Sequence, residues 1–140
     1  MLFSPQRWLR ISLFNLLLVS VIGVILRYKI LYPLPFADQK HLLHGHSHFA
    51  FAGWISQALM ALLVDYLARQ KLPVSYKKYD RLLMLNLLSA YGMLIAFPIE
   101  GYGLYSISFS TASIFVSYVF AVIYWKDLNK LKGNQLSHTW

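Results

Sequence analysis

Residues 41–66 read HLLHGHSHFAFAGWISQALMALLVDY, so that four histidines stand at the beginning of a run of mostly apolar residues. Coiled as an α-helix, a run of this length can cross the hydrocarbon core of a bilayer, which is about 30 Å thick. Ionisable side chains are rare inside membrane helices and usually serve a function there. The segment therefore predicts a membrane helix that carries a functional site near its beginning.

The composition of the whole chain also indicates a membrane protein. Of the 140 residues, 58% are hydrophobic and only 13% are charged, which is outside the range of ordinary soluble domains. The absence of cysteine excludes disulfides, thiolate metal sites and cysteine nucleophiles. The net charge is +8, but the basic residues do not cluster on a soluble domain, so we expect the lipid bilayer and no nucleic acid as a partner.

Four apolar segments predict four transmembrane helices in one all-α domain that covers residues 1–140. Most of the thirteen Lys and Arg residues lie near the chain ends or between the second and third segments, and the positive-inside rule places those regions in the cytoplasm. We therefore expect an up-down bundle in the inner (plasma) membrane, with both termini cytoplasmic and the histidines on the extracytoplasmic side. The predicted helices cover about residues 8–31, 42–67, 81–98 and 103–126.

Helical geometry divides the four histidines between two faces. Successive residues of an α-helix turn by about 100°, so His41, His44 and His48 form one stripe and His46 points to nearly the opposite side. Three imidazoles on one stripe predict a zinc or copper site formed by His41, His44 and His48. Imidazole is also an axial ligand of haem iron, so His44, His46 and His48 are candidate haem ligands.

The histidine segment also resembles a family of respiratory membrane proteins. HSHFAFAGW, residues 46–54, is similar to the HxHxxxxGW pattern of haem-copper oxidase subunit I-like proteins, and His44-Gly45 resembles the His-Gly that opens their second helix. In that family the second-helix histidine ligates a low-spin haem from the extracytoplasmic side. The resemblance covers the first two helices and implies a haem-binding protein with a role in respiratory electron transfer.

Two residues outside the histidines are further candidates for the haem site. Arg27, four residues after Gly23, is similar to the arginine that ends the first helix in many members of the family, and its guanidinium would suit a haem propionate. Snorkelling of Arg27 to the interface explains the residue equally well. Gly53 shares a helix face with His46, and a missing side chain there would let a porphyrin lie close, although close helix packing is the favoured role of Gly53.

The chain lacks much of the family's ligand set. Its remaining histidine, His138, is predicted on the cytoplasmic side, about 30 Å across the bilayer from the other four. No segment resembles the family's copper-binding motif, so we expect no oxygen reduction by the chain alone. The missing ligands would come from a homo-oligomer, from another membrane subunit or from the rest of a longer protein.

A second function stays open at this stage, and with it the question of whether the chain is an enzyme. The alternative is a small non-redox membrane protein, either an assembly or interaction subunit or a divalent-metal binding protein. Two polar features of the later helices are assigned to architecture. Glu100 is predicted to be a solvated loop carboxylate, with a hydrogen bond to a ligand as its other role. A packing stripe is predicted on the fourth helix at Ser106, Ser110, Ser113 and Ser117.

Overall fold

The computed structural model describes residues 4–36, 38–70 and 75–137. Within those ranges the chain is helical without strands, and it has four helices long and apolar enough to cross a membrane, as predicted. Lys71 and His138, which the sequence-based topology used, lie outside the described residues. The four helices are Pro5–Leu31, Gln39–Arg69, Tyr76–Glu100 and Leu104–Ser137.

The predicted bounds of the third and fourth helices were too short. The third helix begins at Tyr76 instead of near residue 81, and the fourth continues to Ser137 instead of ending near residue 126. Both additional segments contain several lysines. A hydropathy pattern marks only the part of a helix that lies in lipid, whereas backbone hydrogen bonding continues into the aqueous layer. Residues 76–80, which were predicted to connect the second and third helices, are therefore helical.

Two clusters of buried apolar side chains hold the helices together. The larger cluster takes side chains from all four helices, and the smaller one joins the second helix to the third. The larger cluster consists of Trp8, Met60, Ala61, Val64, Leu67, Tyr79, Leu82, Leu83 and Phe120. The smaller one consists of Phe49, Ala52, Ala90, Met93 and Phe97.

Polar side chains close the short turn between the third and fourth helices. Gly101 has a φ of 65°, a left-handed conformation that favours glycine. The Ser106 hydroxyl donates to the Gly101 carbonyl at 2.6 Å, and the Ser106 backbone N–H donates to Oε1 of Glu100, also at 2.6 Å. Glu100 therefore caps the first turn of the fourth helix, and its prediction as a solvated loop carboxylate was wrong.

Asp80 and Asp127, with the side chains that donate to them, form what we call the carboxylate cluster. Asp127 is 1% exposed and accepts from the ammonium of Lys78 at 2.6 Å and from the hydroxyl of Tyr79 at 2.8 Å. Asp80 accepts from the indole N–H of Trp8 at 2.8 Å. Lys130 and Arg7 complete the cluster as ion pairs with Asp127 and Asp80 at 3.0 and 3.2 Å.

The second helix is not α-helical throughout. Between the α-helical segments Gln39–Phe49 and Gln57–Arg69, residues Ala50–Ser56 form a π-helix, which we call the π segment. A π-type hydrogen bond joins residues five apart instead of four, so the π segment holds about one residue more than an α-helix of the same height. π-helices are rare, and they are frequently found at functional sites. The π segment lies directly after the histidines.

Candidate functional site

Two of the four histidines pack against the end of the third helix and the turn that follows it. The His48 ring stacks on Phe97 with ring centroids 4.5 Å apart. The His44 ring meets the edge of Tyr102, with ring centroids 4.6 Å apart, and its Nδ1 lies 3.3 Å from the Tyr102 hydroxyl. His44 and His48 therefore share one helix face, in agreement with the helical spacing.

The surroundings of His44 favour one tautomer of its ring. Its Nε2 is buried and has no hydrogen-bond partner among the described residues. A buried N–H without an acceptor costs free energy, whereas Nδ1 has the Tyr102 hydroxyl as an acceptor. We therefore assign the proton to Nδ1, which leaves a lone pair on Nε2. A histidine ligand of a metal usually has this arrangement, with its second nitrogen donating to a neighbour.

His41 completes the stripe in sequence but lies in a different environment. Its backbone N–H donates to Oδ1 of Asp38 at 2.8 Å, which caps the second helix and lowers the pKa of that carboxyl. Its ring packs on Gly101 so closely that a Cβ on Gly101 would lie 2.5 Å from Nε2. Within the described residues, no three side chains of His, Asp, Glu or Cys are placed to hold a metal ion. The predicted zinc or copper site at His41, His44 and His48 thus receives no geometric support.

His46 faces the opposite way, toward the first helix. It lines a groove of about 360 Å³ together with Arg27 and Gln39. Nδ1 of His46 and Oε1 of Gln39 are both buried, and neither has a hydrogen-bond partner among the described residues. A Cβ placed on Gly23 would lie 3.4 Å from Cε1 of His46, so the first helix passes close to the imidazole. The structure therefore brings together three positions singled out in the sequence, His46, Arg27 and Gly23.

Gly53 is buried but has no free space beside it. A Cβ at this position would lie 2.7 Å from the Phe49 ring, which covers the glycine. The Gly53 carbonyl accepts a hydrogen bond from the side chain of Asn15 in the first helix. A porphyrin cannot occupy that space unless Phe49 moves. Close packing, the favoured role of Gly53, is what the contacts show.

A network of buried amide side chains, which was not predicted from the sequence, surrounds the π segment. Asn15 Nδ2 donates to the Gly53 carbonyl at 2.5 Å, and Asn86 Nδ2 donates to the Ala52 carbonyl at 2.9 Å. Asn86 Nδ2 also reaches Oε1 of Gln57 at 2.8 Å. Asn15, Gln57 and Asn86 are each 0% exposed. Carboxamides inside otherwise apolar spans were the signal that could have revealed the network, because buried polar groups in a membrane need partners.

Hydroxyl groups fix the orientation of both asparagines. Tyr91 donates its hydroxyl proton to Oδ1 of Asn15 at 2.8 Å, and Ser113 donates to Oδ1 of Asn86 at 3.1 Å. Each amide nitrogen is thereby directed at a carbonyl of the π segment, since only the oxygen of a carboxamide can accept. Ser113 thus joins the fourth helix to this network, which is a more specific role than the predicted packing stripe.

No known protein family, curated protein or solved structure matches this chain. The resemblance of residues 46–54 to haem-copper oxidase subunit I-like proteins therefore stays a prediction. Functional arguments for this protein depend on its own residues. Among these, the face of the second helix at His46 combines a groove, a guanidinium and two buried polar atoms that have no hydrogen-bond partner in the described part of the chain.

Proposed function

We propose that this chain is a haem-binding integral membrane protein with a role in electron transfer, in which His46 is the axial ligand. The observation that carries the proposal is the groove between the first and second helices, where the imidazole of His46 and the guanidinium of Arg27 line one cavity. Imidazole is a common axial ligand of haem iron, and a guanidinium pairs well with a carboxylate. Haem offers a partner to each of these side chains, because its iron can bind the imidazole and its propionate carboxylates can pair with the guanidinium.

The donor set of the groove fits a haem in part. His46 offers one axial ligand, and Arg27 offers a partner for a propionate. The buried Nδ1 of His46 has no hydrogen-bond partner among the described residues. A bound haem would supply a redox-active iron. Within the described ranges no second histidine lines the groove, so a sixth ligand would come from another membrane subunit or a second copy of the chain.

The groove also suits an apolar ring system in a membrane. Its volume of about 360 Å³ lies within the usual range of small-molecule sites. Ile30 and Leu43 on its lining are exposed, at 66% and 49%, so its rim faces the lipid. The part of a porphyrin that extends beyond the groove would therefore meet apolar surroundings.

His44 is the second candidate ligand. Its Nδ1 is placed to donate to the Tyr102 hydroxyl, which leaves the Nε2 lone pair for a metal. Variants of single histidines distinguish the two candidates, because His44 and His46 lie on different faces of the helix.

We also propose an up-down arrangement in the inner membrane, with both termini cytoplasmic and the histidines extracytoplasmic. The ion pairs of Arg7 with Asp80 and of Lys78 with Asp127 support it, because they join the beginnings of the first and third helices and the later part of the fourth. The excess of Lys and Arg in the same regions favours their cytoplasmic placement.

The test is a reduced-minus-oxidised visible spectrum with a pyridine haemochrome assay on detergent-purified protein from haem-supplied cells. We expect haem bands in the wild type and in His48→Ala, whose ring stacks on Phe97 on the other face of the helix, and loss of the bands in His46→Ala. Arg27→Leu is expected to weaken haem retention without abolishing it. A folded but colourless wild-type protein would contradict the proposal and favour a non-redox function. Loss of the bands in His44→Ala alone would assign the ligand to His44.

A further inference from the structure

The π segment determines which neighbours the histidines face. An α-helical turn holds fewer residues than a π-helical turn, so conversion of Ala50–Ser56 to α-helix would change the register of the second helix by about one residue. One residue corresponds to a rotation of about 100° of the segment before it relative to Gln57–Arg69. The imidazole of His46 would then leave the groove that contains Arg27.

Hydrogen bonds from two neighbouring helices stabilise the π form. The carbonyls of Ala52 and Gly53 lie inside the π segment and accept from Asn86 and Asn15. These two residues come from the third and first helices, on either side of the second. In a membrane interior a carboxamide without a partner is costly, so both amides favour the backbone form in which they reach a carbonyl.

We infer that Asn15 and Asn86 are positioning residues, which hold the π segment and thereby set the rotation of the histidines about the helix axis. The side chains do not contact the proposed haem site and act on it through the backbone of the second helix. The inference goes beyond the proposed function, because it concerns helix register and applies whether or not haem binds.

Removal of the Asn15 and Asn86 amides is expected to replace His46 by Ser47 as the residue that lies beside Gly23. In the π form His46 lies beside Gly23. If the π segment becomes α-helical while Gln57–Arg69 stays in place, position 47 takes the direction now held by position 46. Ser47 would then face the first helix.

Thiol cross-linking measures this register directly, because the chain has no cysteine of its own. The variants pair Gly23→Cys with either His46→Cys or Ser47→Cys, and a short bifunctional thiol reagent joins the two helices. We expect the position-46 pair to cross-link in otherwise wild-type protein, and the preference to reverse to the position-47 pair when Asn15→Leu and Asn86→Leu are added. Ser89→Ala is the matched control, since among the described residues that hydroxyl bonds only to Leu85 in its own helix, and its loss should leave position 46 preferred.

Deletion of Ala50 keeps the test decisive if the double leucine variant does not fold. The deletion removes the additional residue of the π segment and should give a continuous α-helix in which position 46 again faces Gly23. In that background the two leucine substitutions should be tolerated, and the position-46 pair should still cross-link. The inference is overturned if the double variant folds and still prefers position 46 over 47. It is equally overturned if the deletion does nothing to restore folding of the double variant. Neither measurement uses haem, so a failure of the proposed function would leave these results unchanged.

Discussion

In the carboxylate cluster both acidic side chains have donors within hydrogen-bond distance, whereas around the histidines three buried polar atoms have none among the described residues. The three atoms are Gln39 Oε1, His44 Nε2 and His46 Nδ1. Buried polar groups without partners destabilise a fold, and natural proteins keep few of them. The difference indicates that the carboxylate cluster stabilises the bundle, while the histidine segment holds buried polar atoms at some cost in stability.

The largest expected loss of stability follows substitution of Asp127, whose carboxylate is buried. Asp127→Ala leaves the buried Tyr79 hydroxyl and the partly exposed ammonium of Lys78 without their acceptor, and we expect a loss of about 3 kcal/mol. Unfolding in detergent with increasing SDS would measure the change. Arg69→Ala is the control, because Arg69 is 77% exposed and its pair with Asp65 contributes only about 0.3–0.5 kcal/mol. Equal losses of stability in Asp127→Ala and Arg69→Ala would show that the buried carboxylate contributes no more than an exposed ion pair.

Substitution of Asp80 is expected to cause a smaller loss of stability, which can be compared with that of its ion-pair partner Arg7. Asp80→Ala removes the acceptor of the Trp8 indole, which is fully buried, and we expect a loss of about 1–3 kcal/mol. Arg7→Ala breaks the partly exposed ion pair to the same carboxylate and the contact of the guanidinium with the Trp8 ring, and it should cost about 1 kcal/mol or less. The same SDS titration measures both. If Arg7→Ala were the more harmful change, the indole hydrogen bond would not be the reason for the effect.

Substitution of His46 is expected to keep or raise the stability, whereas the substitutions of Asp127 and Asp80 lower it. His46→Leu removes a buried nitrogen that has no partner among the described residues, so we expect unchanged stability or a gain of about 1 kcal/mol. His48→Leu instead loses the stacking on Phe97 and should cost about 0.5–1.5 kcal/mol. Thermal unfolding of both proteins without haem would compare them. A large loss in His46→Leu would mean that this imidazole has a structural role.

The smallest effect concerns pH and the cap of the second helix. The backbone N–H of His41 that donates to Asp38 lowers the pKa of the carboxyl below its ordinary value of 3.8. A lowered pKa means that the stabilisation is present above pH 3.8 and is lost as the pH falls through the folded-state value. Asp38→Asn keeps a capping side chain that does not titrate. The stability difference between wild type and this variant should be constant near neutral pH and should move in favour of asparagine only in acid.

Hydropathy was sufficient to predict the four helices, and the 100° spacing was sufficient to separate His46 from His44 and His48. The π segment could not be predicted in the same way, because AFAGWIS contains only one residue, Gly53, that disfavours an α-helix. Its form depends on amides that reach it from other helices, which is a tertiary effect. The groove at His46 was missed for the same reason, since Arg27 and Gln39 come from different helices. At Gly53 the contacts agree with close packing, the favoured role, and the residue that covers the glycine is Phe49, four residues earlier in the same helix.

The turn between the third and fourth helices has a consequence for the order in which the chain assembles. Its hydrogen bonds join Glu100, Gly101, Gly103 and Ser106, which are all close in sequence, so the turn requires no other helix to form. Contacts between residues close in sequence form early, because little chain entropy is lost in making them. We therefore expect the last two membrane helices to associate as a hairpin soon after they enter the bilayer. The histidine segment would then pack against a surface that has already formed, since Phe97 and Tyr102 belong to that hairpin.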